Sequence, residues 1–424
     1  MRVLIVNTSE NTGGAAVAAN RLKEALNNNG IKAKMLVRDK ESDDITVAQL
    51  NKSWHQKWDF LWERFVIYMR LHFKRDNLFL IDIANAGTDI TKTREFKEAD
   101  VIHLSWINQG MLSLKGIRKI LESHKPVVWT MHDLWPASSI CHYARNCRNY
   151  EKQCGNCPLL PGNGSSNDLS ARIWRKKRKI LERNSILFVT CSKWLADKAK
   201  KSGLLSGQKV ISIPNPIDSR AFTKENREEA RLYAGLPEGK KLILFVSQRV
   251  TDKRKGMDYF ITAINKMVEA HPEMKDNCGI AILGGKAEEL ADKLPLPSYP
   301  LGYVSEEKKI ASIYNSVDLF VLPSLEDNLP NTIMEAMACG VPCVGFNTGG
   351  IPEMIDHLKN GYVAEYKSSD DLARGIHWVL SEADHQSLSN EAMKKVNQCY
   401  SQYAVAMKYI EAYNQAMALK RYKL

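Results

Sequence analysis

Short apolar runs alternate with amphipathic stretches along the first half of the chain. Runs rich in β-branched residues predict strands at 2–6, 33–37, 101–104, 126–131, 186–190 and 209–213. Helical patterns fill most of the intervals, and the first, 15–29, ends at Gly30, a residue type that commonly follows a helix. This alternation predicts a parallel sheet with helices on both faces.

The same alternation restarts in the second half. Strands are predicted at 242–246, 280–283, 319–322 and 342–345, with helices such as 257–270 and 332–338 between them. Pro, Asn and charged residues cluster at 214–240, which indicates a boundary. We therefore expect two doubly wound α/β domains, 1–215 and 216–395, and a C-terminal helix in 396–424 that packs back toward the first. Ligands of such sheets bind at the carboxyl ends of strands, so the expected site is the cleft between the domains.

Composition limits the class of protein. Of 424 residues, 44% are apolar and 25% charged, which suits a globular chain and excludes disorder as its main state. No run approaches the ~18 apolar residues of a transmembrane helix, and the short apolar start predicts a strand instead of a signal peptide. Residues 1–215 hold 35 Lys and Arg against 20 Asp and Glu, whereas the remainder holds 25 against 28. A basic first half favours anionic partners: nucleic acid, a membrane surface or phosphorylated ligands.

Two basic helical segments stand out in this half. In the first, Trp54, Trp58 and Trp62 recur on one predicted helix face. Other apolar and basic residues extend it: Phe65, Met69, Phe73, Lys57, Arg64 and Arg70. The stripe is typical both of core packing and of binding at a membrane interface, and both interpretations remain open. The second segment, RIWRKKRKILER at 172–183, favours attachment to an anionic surface.

A cysteine-rich insert is predicted at 138–158. It contains four of the nine cysteines, Cys141, Cys147, Cys154 and Cys157, spaced C-x5-C-x6-C-x2-C. The closing CGNC suits tetrahedral zinc. An odd number of cysteines without a secretion signal indicates a reducing cytoplasm. Structural zinc and disulfide bonds both remain open for the insert, and the other five cysteines are expected in the core.

The segment 323–340, PSLEDNLPNTIMEAMACG, carries the main candidate chemistry. It follows a buried-strand pattern and enters a helix expected to begin near Asn331 or Thr332. Asp327 and Glu335 would face one ligand at the start of that helix, where free N–H groups attract phosphate. Carboxylates accept hydrogen bonds from sugar hydroxyls, although a solvated acidic loop would also explain the spacing.

This segment resembles the acidic signature of the retaining glycosyltransferases of family 4, in which seven residues separate two carboxylates within a PS…EAMA…G frame. Further landmarks of that family are similar along nearly the whole chain. They are the loop of Gly13 and Gly14, TCSKWL at 190–195, SIPNPID at 212–218, LGYVSEEKKIASIYNSVDLFVLPS at 301–324, GGIPE at 349–353 and NG at 360–361. The resemblance implies the GT-B fold, two Rossmann-like domains that face each other across a cleft.

The resemblance also implies a donor site for a UDP- or GDP-sugar. Glu335 is expected to hold the ribose hydroxyls and Asp327 to lie beside the transferred sugar. The family usually has Glu where this chain has Asp327, and the neighbouring Glu326 could compensate for the shorter side chain. Pro330 has no N–H to offer a ligand. The remaining donor contacts are expected from Gly13, Gly14, Tyr303, Val304, Asn328, Asn331 and Thr332.

Positive charge for the leaving diphosphate is expected from FVSQRVTDKRKG at 245–256. Lys255 fits the Lys position of the family, although a KRK run of this kind is often only solvated. Strict alignment puts Gln248 at the Arg position and a one-residue shift puts Arg249 there. Arg249 is the better choice, because a guanidinium binds phosphate through two hydrogen bonds.

His132 ends the strand at 126–131 and matches a family His that touches the donor sugar, which implies an orienting and electrostatic role. His103 and Trp106 are expected at the acceptor pocket. The resemblance further implies transfer with retention, without a protein nucleophile and without a catalytic metal or other cofactor. The protein would supply orientation and charge stabilisation.

The function expected from the resemblance is sugar transfer from a nucleotide-sugar to a glycan or lipid-linked acceptor in capsule, exopolysaccharide or lipopolysaccharide synthesis. A cytoplasmic location, peripheral on the inner face of the membrane, would suit it. Two alternatives remain: a sugar-nucleotide epimerase of the same fold, and a zinc-containing nucleic-acid-binding protein. A dinucleotide dehydrogenase is not favoured, since no G-x-G-x-x-G follows the first strand.

Overall fold

The structure, a computed structural model, describes residues 1–50, 54–249 and 252–421, without the side chains of residues 54, 55, 249 and 421. The chain divides into two compact units. The first comprises Met1–Pro216 together with the stretch from Val405 onward, and the second comprises Ile217–Ala404. Each unit has its own parallel sheet, as the strand–helix alternation predicts.

Within the described residues, seven strands form the sheet of the first unit. They are β1 (Arg2–Ser9), β2 (Lys32–Asp39), β3 (Val47–Gln49), β4 (Val101–Leu104), β5 (Val127–Met131), β6 (Leu187–Thr190) and β7 (Lys209–Ser212). Their spatial order is β3-β2-β1-β4-β5-β6-β7, and all neighbours pair in parallel. The six predicted strands are confirmed to within three residues at each end. The short β3 carries too little pattern to be predicted.

Helices alternate with the strands in both units. They are α1 (Gly14–Asn28), α2 (Trp54–Arg70), α3 (Arg94–Glu98), α4 (Leu114–Glu122), α5 (Leu169–Leu181), α6 (Lys193–Lys200), α7 (Arg227–Ala234), α8 (Met257–Ala270), α9 (Met274–Asn277), α10 (Glu288–Ala291), α11 (Glu307–Asn315), α12 (Asn331–Ala338), α13 (Ile351–Met354), α14 (Ser369–His377), α15 (His385–Cys399) and α16 (Gln402–Arg421). No helix among the described residues is long and apolar enough to cross a membrane.

The two faces of the first sheet have separate cores. Leu4 and Val6 of β1 pack in a cluster with residues of α4, α5 and α6. The alternate residues Val3 and Ile5 pack in another cluster with α1 and α16. Since successive side chains of a strand point to opposite faces, the helices cover both sides, as predicted.

His103 belongs to this core. Its Nδ1 lies 2.8 Å from the hydroxyl of Tyr413 in α16, and its Nε2 lies 2.7 Å from Oγ1 of Thr130. The side chain is buried, and burial lowers the pKa of His103 to about 3, so the ring is neutral. His103 thus ties the C-terminal helix to β4 and β5, and the acceptor-pocket role expected for it stays a prediction.

Six strands form the sheet of the second unit within its described residues. They are β8 (Lys241–Arg249), β9 (Cys278–Gly285), β10 (Ser298–Gly302), β11 (Leu319–Leu322), β12 (Cys343–Phe346) and β13 (Gly361–Ala364). Their spatial order is β10-β9-β8-β11-β12-β13, again parallel throughout. The sheet grows outward from β8 on one side and from β11 on the other. The point between these two strands is a topological switch point, where α/β sheets bind ligands.

Helix α2 is oriented with its aromatic side outward. Large apolar side chains that are 44–59% exposed share one face and continue just past its end: Trp58, Leu61, Trp62, Phe65, Met69 and Phe73. Glu63, Arg64 and Ile67 are buried on the other side. Core packing is thus the wrong interpretation for Trp58 and Trp62, whereas the side chain of Trp54 lies outside the described residues.

Candidate functional site

Two loops meet at the carboxyl ends of β8 and β11. The backbone N–H of Leu325, after β11, donates a 2.7 Å hydrogen bond to the carbonyl of Arg254, after β8. Gly256 has a φ of +73°, and a Cβ there would lie 1.8 Å from the carbonyl oxygen of Pro323. Only glycine permits this approach, which brings the KRK turn against the acidic loop.

Asp327 lies at the junction of these loops. The Nζ of Lys255 is 2.6 Å from its Oδ2, and the Ser324 hydroxyl donates to the same oxygen at 3.4 Å. A third loop holds its backbone, because the N–H of Gly350 donates to the Asp327 carbonyl at 3.2 Å. Gly349, with a φ of +59°, leaves room where a Cβ would lie 1.7 Å from that carbonyl oxygen. Lys255 and Asp327, both predicted site residues, are brought together.

Helix α12 begins beside this pair without a cap. Pro330 precedes its first residue and supplies no side-chain cap, and its first turn holds no acidic residue. The Oγ1 of Thr332 is buried and has no hydrogen-bond partner within the described residues. The free N–H groups of a helix start and an unsatisfied hydroxyl together suit an anionic ligand.

Glu335 lies one turn further along α12. Its side chain is largely buried, at 8% exposure, and its Oε2 accepts a 3.1 Å hydrogen bond from the Tyr314 hydroxyl. Burial and the neighbouring Glu335 carboxylate raise the pKa of Tyr314 well above its usual value, so this hydroxyl stays a donor. Tyr314 holds the orientation of Glu335 and was missed from the sequence, where it has only the pattern of a helical core residue.

The other predicted donor residues follow strand ends of the same sheet. Tyr303 is exposed and Val304 half-buried after β10. Glu326 is half-buried and Asn328 buried in the loop after β11. Arg249 is the last residue of β8, and its side chain lies outside the described part of the chain. Because carboxyl ends of parallel strands share one edge, these positions line the same side of the sheet.

The first unit also presents predicted residues at strand ends. Gly13, with a φ of +94°, follows β1 and precedes α1, whose first residue is Gly14 and whose first turn lacks acidic residues. His132 follows β5, and its Nε2 lies 2.9 Å from Oγ of Ser105, which follows β4. Its Nδ1 lies 3.5 Å from Sγ of Cys191, which follows β6. Burial lowers the pKa of His132 to about 4, which favours the neutral ring, and the orienting and electrostatic role expected for it stays a prediction.

A buried charged network lies directly behind His132. Asp133 accepts hydrogen bonds at Oδ2 from Trp106 Nε1 at 3.0 Å and from His142 Nδ1 at 2.7 Å. The Nε2 of His142 lies 2.6 Å from Asp82, which also pairs with Arg64 of α2. The sequence shows a weak signal for this network, since Arg64 and Asp82 interrupt apolar patterns.

His142 carries a proton in this network. Burial alone would lower its pKa, but the carboxylates of Asp133 and Asp82 outweigh that effect and raise the pKa of His142 to about 10. The imidazolium thus bridges two buried carboxylates, and Arg64 supplies a second positive charge at Asp82. His142 belongs to the cysteine-rich insert. The insert therefore helps to hold Asp133, the residue that follows His132.

Two family models cover most of the chain. Residues 12–220 match the model described as Glycosyltransferase Family 4, and residues 226–396 match the one described as Glycosyl transferases group 1. The chain belongs to the GT-B glycosyltransferases of group 1 and family 4. The predicted resemblance to glycosyltransferases of this type is thereby confirmed, with the acidic segment at 323–340 inside the group 1 match, and the nucleic-acid-binding alternative loses its basis.

Solved structures and a curated relative resemble this glycosyltransferase chain. Sucrose-phosphate synthase from Thermosynechococcus elongatus has a TM-score of 0.68 at 16% identity, with 99% of this chain and 100% of that chain covered. Anabaena HepE, in complex with UDP and glucose, has a TM-score of 0.64 at 15% identity, covering 98% and 100%. The predicted GT-B fold is confirmed. An uncharacterized glycosyltransferase of Methanocaldococcus jannaschii is 30% identical over 54% of this chain and only 60% of its own length.

The four cysteines of the insert in this glycosyltransferase are free thiols. Burial, with the neighbouring thiols adding to it, raises the pKa of Cys154 and Cys157 to about 12. Among the described residues, the group of metal-ligand side chains whose donor atoms lie within 4.8 Å of one another is His271, Glu273 and His377. As placed, the thiols do not form such a group, so a zinc ion would have to draw them inward, and zinc remains a proposal.

Proposed function

We propose that this protein transfers a sugar, with retention of anomeric configuration, from a UDP- or GDP-sugar to a glycan acceptor. The observation that carries the proposal is the Lys255–Asp327 pair, held at 2.6 Å beside the uncapped start of α12. It places one cation, one carboxylate and free N–H groups at the switch point of the second sheet. This set matches the diphosphate and the hydroxyls of a nucleotide-sugar.

Each part of the donor has a partner in this arrangement. The diphosphate takes Lys255 and the N–H groups of α12, and Thr332 Oγ1 gains the hydrogen bond that it lacks. The ribose hydroxyls bind Glu335, which Tyr314 orients. Asp327 turns from Lys255 toward the hydroxyls of the sugar. The complex of Anabaena HepE with UDP and glucose supports a donor of this class.

The reaction proceeds on one face of the sugar. The bond from the anomeric carbon to the phosphate oxygen breaks while the acceptor oxygen bonds to that carbon from the same side. The leaving phosphate oxygen takes the proton of the acceptor hydroxyl, so no protein nucleophile is needed. Lys255, with Arg249 from the sequence prediction, stabilises the negative charge that develops on the phosphate without a metal ion.

The resemblance to family 4 gives His132 an orienting role in the proposed mechanism. Ser105 and Cys191 contact its two ring nitrogens, so a sugar hydroxyl would bind the ring by replacing one of these contacts, as donor or acceptor according to the tautomer. A ring of this kind can orient a sugar hydroxyl, but it carries no charge with which to stabilise the leaving phosphate.

The acceptor is proposed to be lipid-linked, in cell-surface polysaccharide synthesis such as that of capsule, exopolysaccharide or lipopolysaccharide. The outward aromatic face of α2 supports this part, because Trp58, Trp62 and Phe65 are each more than half exposed. Aromatic residues on a helix surface with Lys and Arg nearby suit the membrane interface. The enzyme would then act peripherally at the inner face of the membrane.

Product analysis tests the proposal. Purified protein is incubated with UDP- and GDP-sugars and a lipid-linked glycan, without added divalent metal, and NMR determines the anomeric configuration of the product. An α-donor is expected to give an α-linked product. A β-linked product would overturn retention, and a requirement for added metal would overturn metal independence. Conversion of the donor to another nucleotide-sugar without acceptor would favour the epimerase alternative.

A further inference from the structure

A basic groove lies between α4 and α5 of the first unit. Its volume is about 510 Å³. The lining contains five cationic residues, Lys115, Arg118, Lys176, Lys179 and Arg183. Its acidic residue, Glu122, is 3.7 Å from Arg118. None of these residues belongs to the donor site, and the groove is built by helices, not by loops at strand ends.

The cations of the groove lack the side-chain and backbone partners that other basic residues of α5 have. Arg178 pairs with Glu182, and Arg172 and Arg175 donate to Asn167. By contrast, Lys176, Lys179 and Arg183 form no ion pair within the described residues, and neither does Lys115 across the groove. Four positive charges therefore face one opening without internal compensation, which favours an anionic ligand.

The floor of the groove is apolar and continues beneath α2. Ile83, Leu114 and Ile173 line the groove. The same three residues pack in one cluster with Ile67 on the buried side of α2. The opposite face of α2 carries the exposed aromatic side chains. The apolar floor of the groove and the buried side of α2 thus belong to one apolar cluster.

We propose that this groove binds the phosphate group of an anionic membrane lipid while the aromatic face of α2 enters the bilayer interface. The four unpaired cations match the phosphate, and the apolar floor matches the start of the acyl chains. The inference rests on the membrane-facing part of the proposed function. It adds a defined lipid site to what would otherwise be diffuse attraction between a basic surface and a charged membrane.

The test uses a triple variant that removes cations from the groove: Lys176→Gln, Lys179→Gln and Arg183→Gln. All three side chains are exposed, so the fold is expected to persist, and circular dichroism checks this. Full-length protein is sedimented with vesicles of phosphatidylcholine containing phosphatidylglycerol, and with vesicles of phosphatidylcholine alone. The variant is expected to bind the anionic vesicles about 100-fold more weakly than the unmodified protein, because each Lys or Arg near an anionic surface contributes about 1 kcal/mol.

A second triple variant is the matched control: Arg172→Gln, Arg175→Gln and Arg178→Gln. It removes the same charge from the same helix, but none of its residues lines the groove. The control is expected to keep most of the vesicle binding. Equal losses of vesicle binding in both triple variants would overturn the proposed lipid site, because diffuse attraction to the membrane would then explain the binding. No loss in the groove triple would also overturn it.

A soluble phosphate compound distinguishes a groove that binds membrane lipid from one that binds a free phosphorylated ligand. Calorimetry with inorganic pyrophosphate, without vesicles, is expected to show no saturable binding that depends on the groove. Such binding, together with unchanged vesicle binding by the groove triple, would assign the groove to a free phosphorylated ligand and overturn the proposal.

Failure of the proposed function would appear in a separate measurement, the turnover of the nucleotide-sugar. Consumption of the nucleotide-sugar, measured without vesicles but with the lipid-linked glycan dispersed in detergent, is expected to be equal in both triples and in the unmodified protein. Absence of turnover in all three would overturn the proposed function and leave the vesicle comparison standing.

Discussion

The ammonium group of Lys255 lies 2.6 Å from Oδ2 of Asp327, across two loops that follow neighbouring strands. Gly256 and Gly349 make this approach possible, since each lies where a side chain would strike the backbone of the acidic loop. In the proposed function, a nucleoside diphosphate competes with Asp327 for Lys255. The ion pair therefore keeps both loops ordered before the donor arrives.

Replacing Lys255 by Met is expected to weaken binding of the nucleoside diphosphate about 10- to 100-fold, because a hydrogen bond to a charged group contributes ~1.5–3 kcal/mol. Isothermal titration calorimetry measures the change. Lys253→Met is the matched control, since Lys253 is exposed in the same turn and has the same charge. Equal weakening by both variants would show that only the general charge of the turn matters.

Replacing Glu335 by Ala is expected to abolish most transfer while the protein stays folded. The loss of the Tyr314 hydrogen bond costs about 1 kcal/mol of unfolding free energy. Tyr314→Phe removes the same hydrogen bond but leaves the carboxylate, so it matches the stability loss and is expected to keep most transfer. Near-normal transfer by Glu335→Ala would remove Glu335 from the donor site.

Strand positions follow closely from the sequence, whereas the orientation of α2 does not. Buried parallel strands such as β4 and β11 are continuous apolar runs, which leave little doubt about their type. For α2, periodicity locates an apolar face but cannot tell whether the face points inward. The orientation of α2 is fixed by the burial of Glu63 and Arg64 on its other side. Their burial depends on partners in a later segment of the chain, which helical periodicity cannot show.

In the candidate site too, some residues can be predicted from local sequence and others only from contacts between distant segments. Lys255, Asp327 and Glu335 are found because they lie in contiguous motifs with a family resemblance. The network of Arg64, Asp82, Asp133 and His142 joins four separate segments, so no local spacing reveals it. These residues form a network only when the folded sheet brings them together.

The stability of the protein is expected to depend on the protonation of His142. Its folded-state pKa of about 10 exceeds the ~6.5 of an unfolded His, so its stabilisation is complete below ~pH 6.5 and is lost as pH rises toward 10. Breaking such a buried charge pair costs about 3–5 kcal/mol. His142→Gln should therefore lower the melting temperature strongly at pH 6.5 and progressively less toward pH 10.

Comparison of the two proteins at each pH measures this effect. Burial lowers the pKa of Lys177 to about 7, which gives an opposite trend, since stability rises as pH passes from there to the ordinary Lys value. That trend is present in both proteins, but Lys177 also interacts with Asp133 and Asp82, so the difference reports His142 together with its coupling to Lys177. A difference in melting temperature that stays constant with pH would contradict a protonated His142.

The cysteine-rich insert is expected to bind one zinc ion per chain if its thiols close around the metal. Metal analysis of protein purified without chelator, combined with thiol titration, measures this. Cys154→Ser should lower zinc content and melting temperature together, whereas Cys278→Ser, which alters a buried cysteine outside the insert, should leave zinc content unchanged. Four titratable thiols without zinc would show that the insert is held by packing alone.

Thermal unfolding with UDP, GDP, ADP, CDP and dTDP tests the central claim, that the second unit binds a nucleoside diphosphate at Lys255 and Glu335, most directly. One nucleotide at 100 times its dissociation constant should stabilise the protein by ~2.7 kcal/mol. The same nucleotide should stabilise Lys255→Met and Glu335→Ala far less, and Tyr314→Phe nearly as much as the unmodified protein. Stabilisation by none of the five, with the fold intact, would contradict the claim, as would equal stabilisation of all variants.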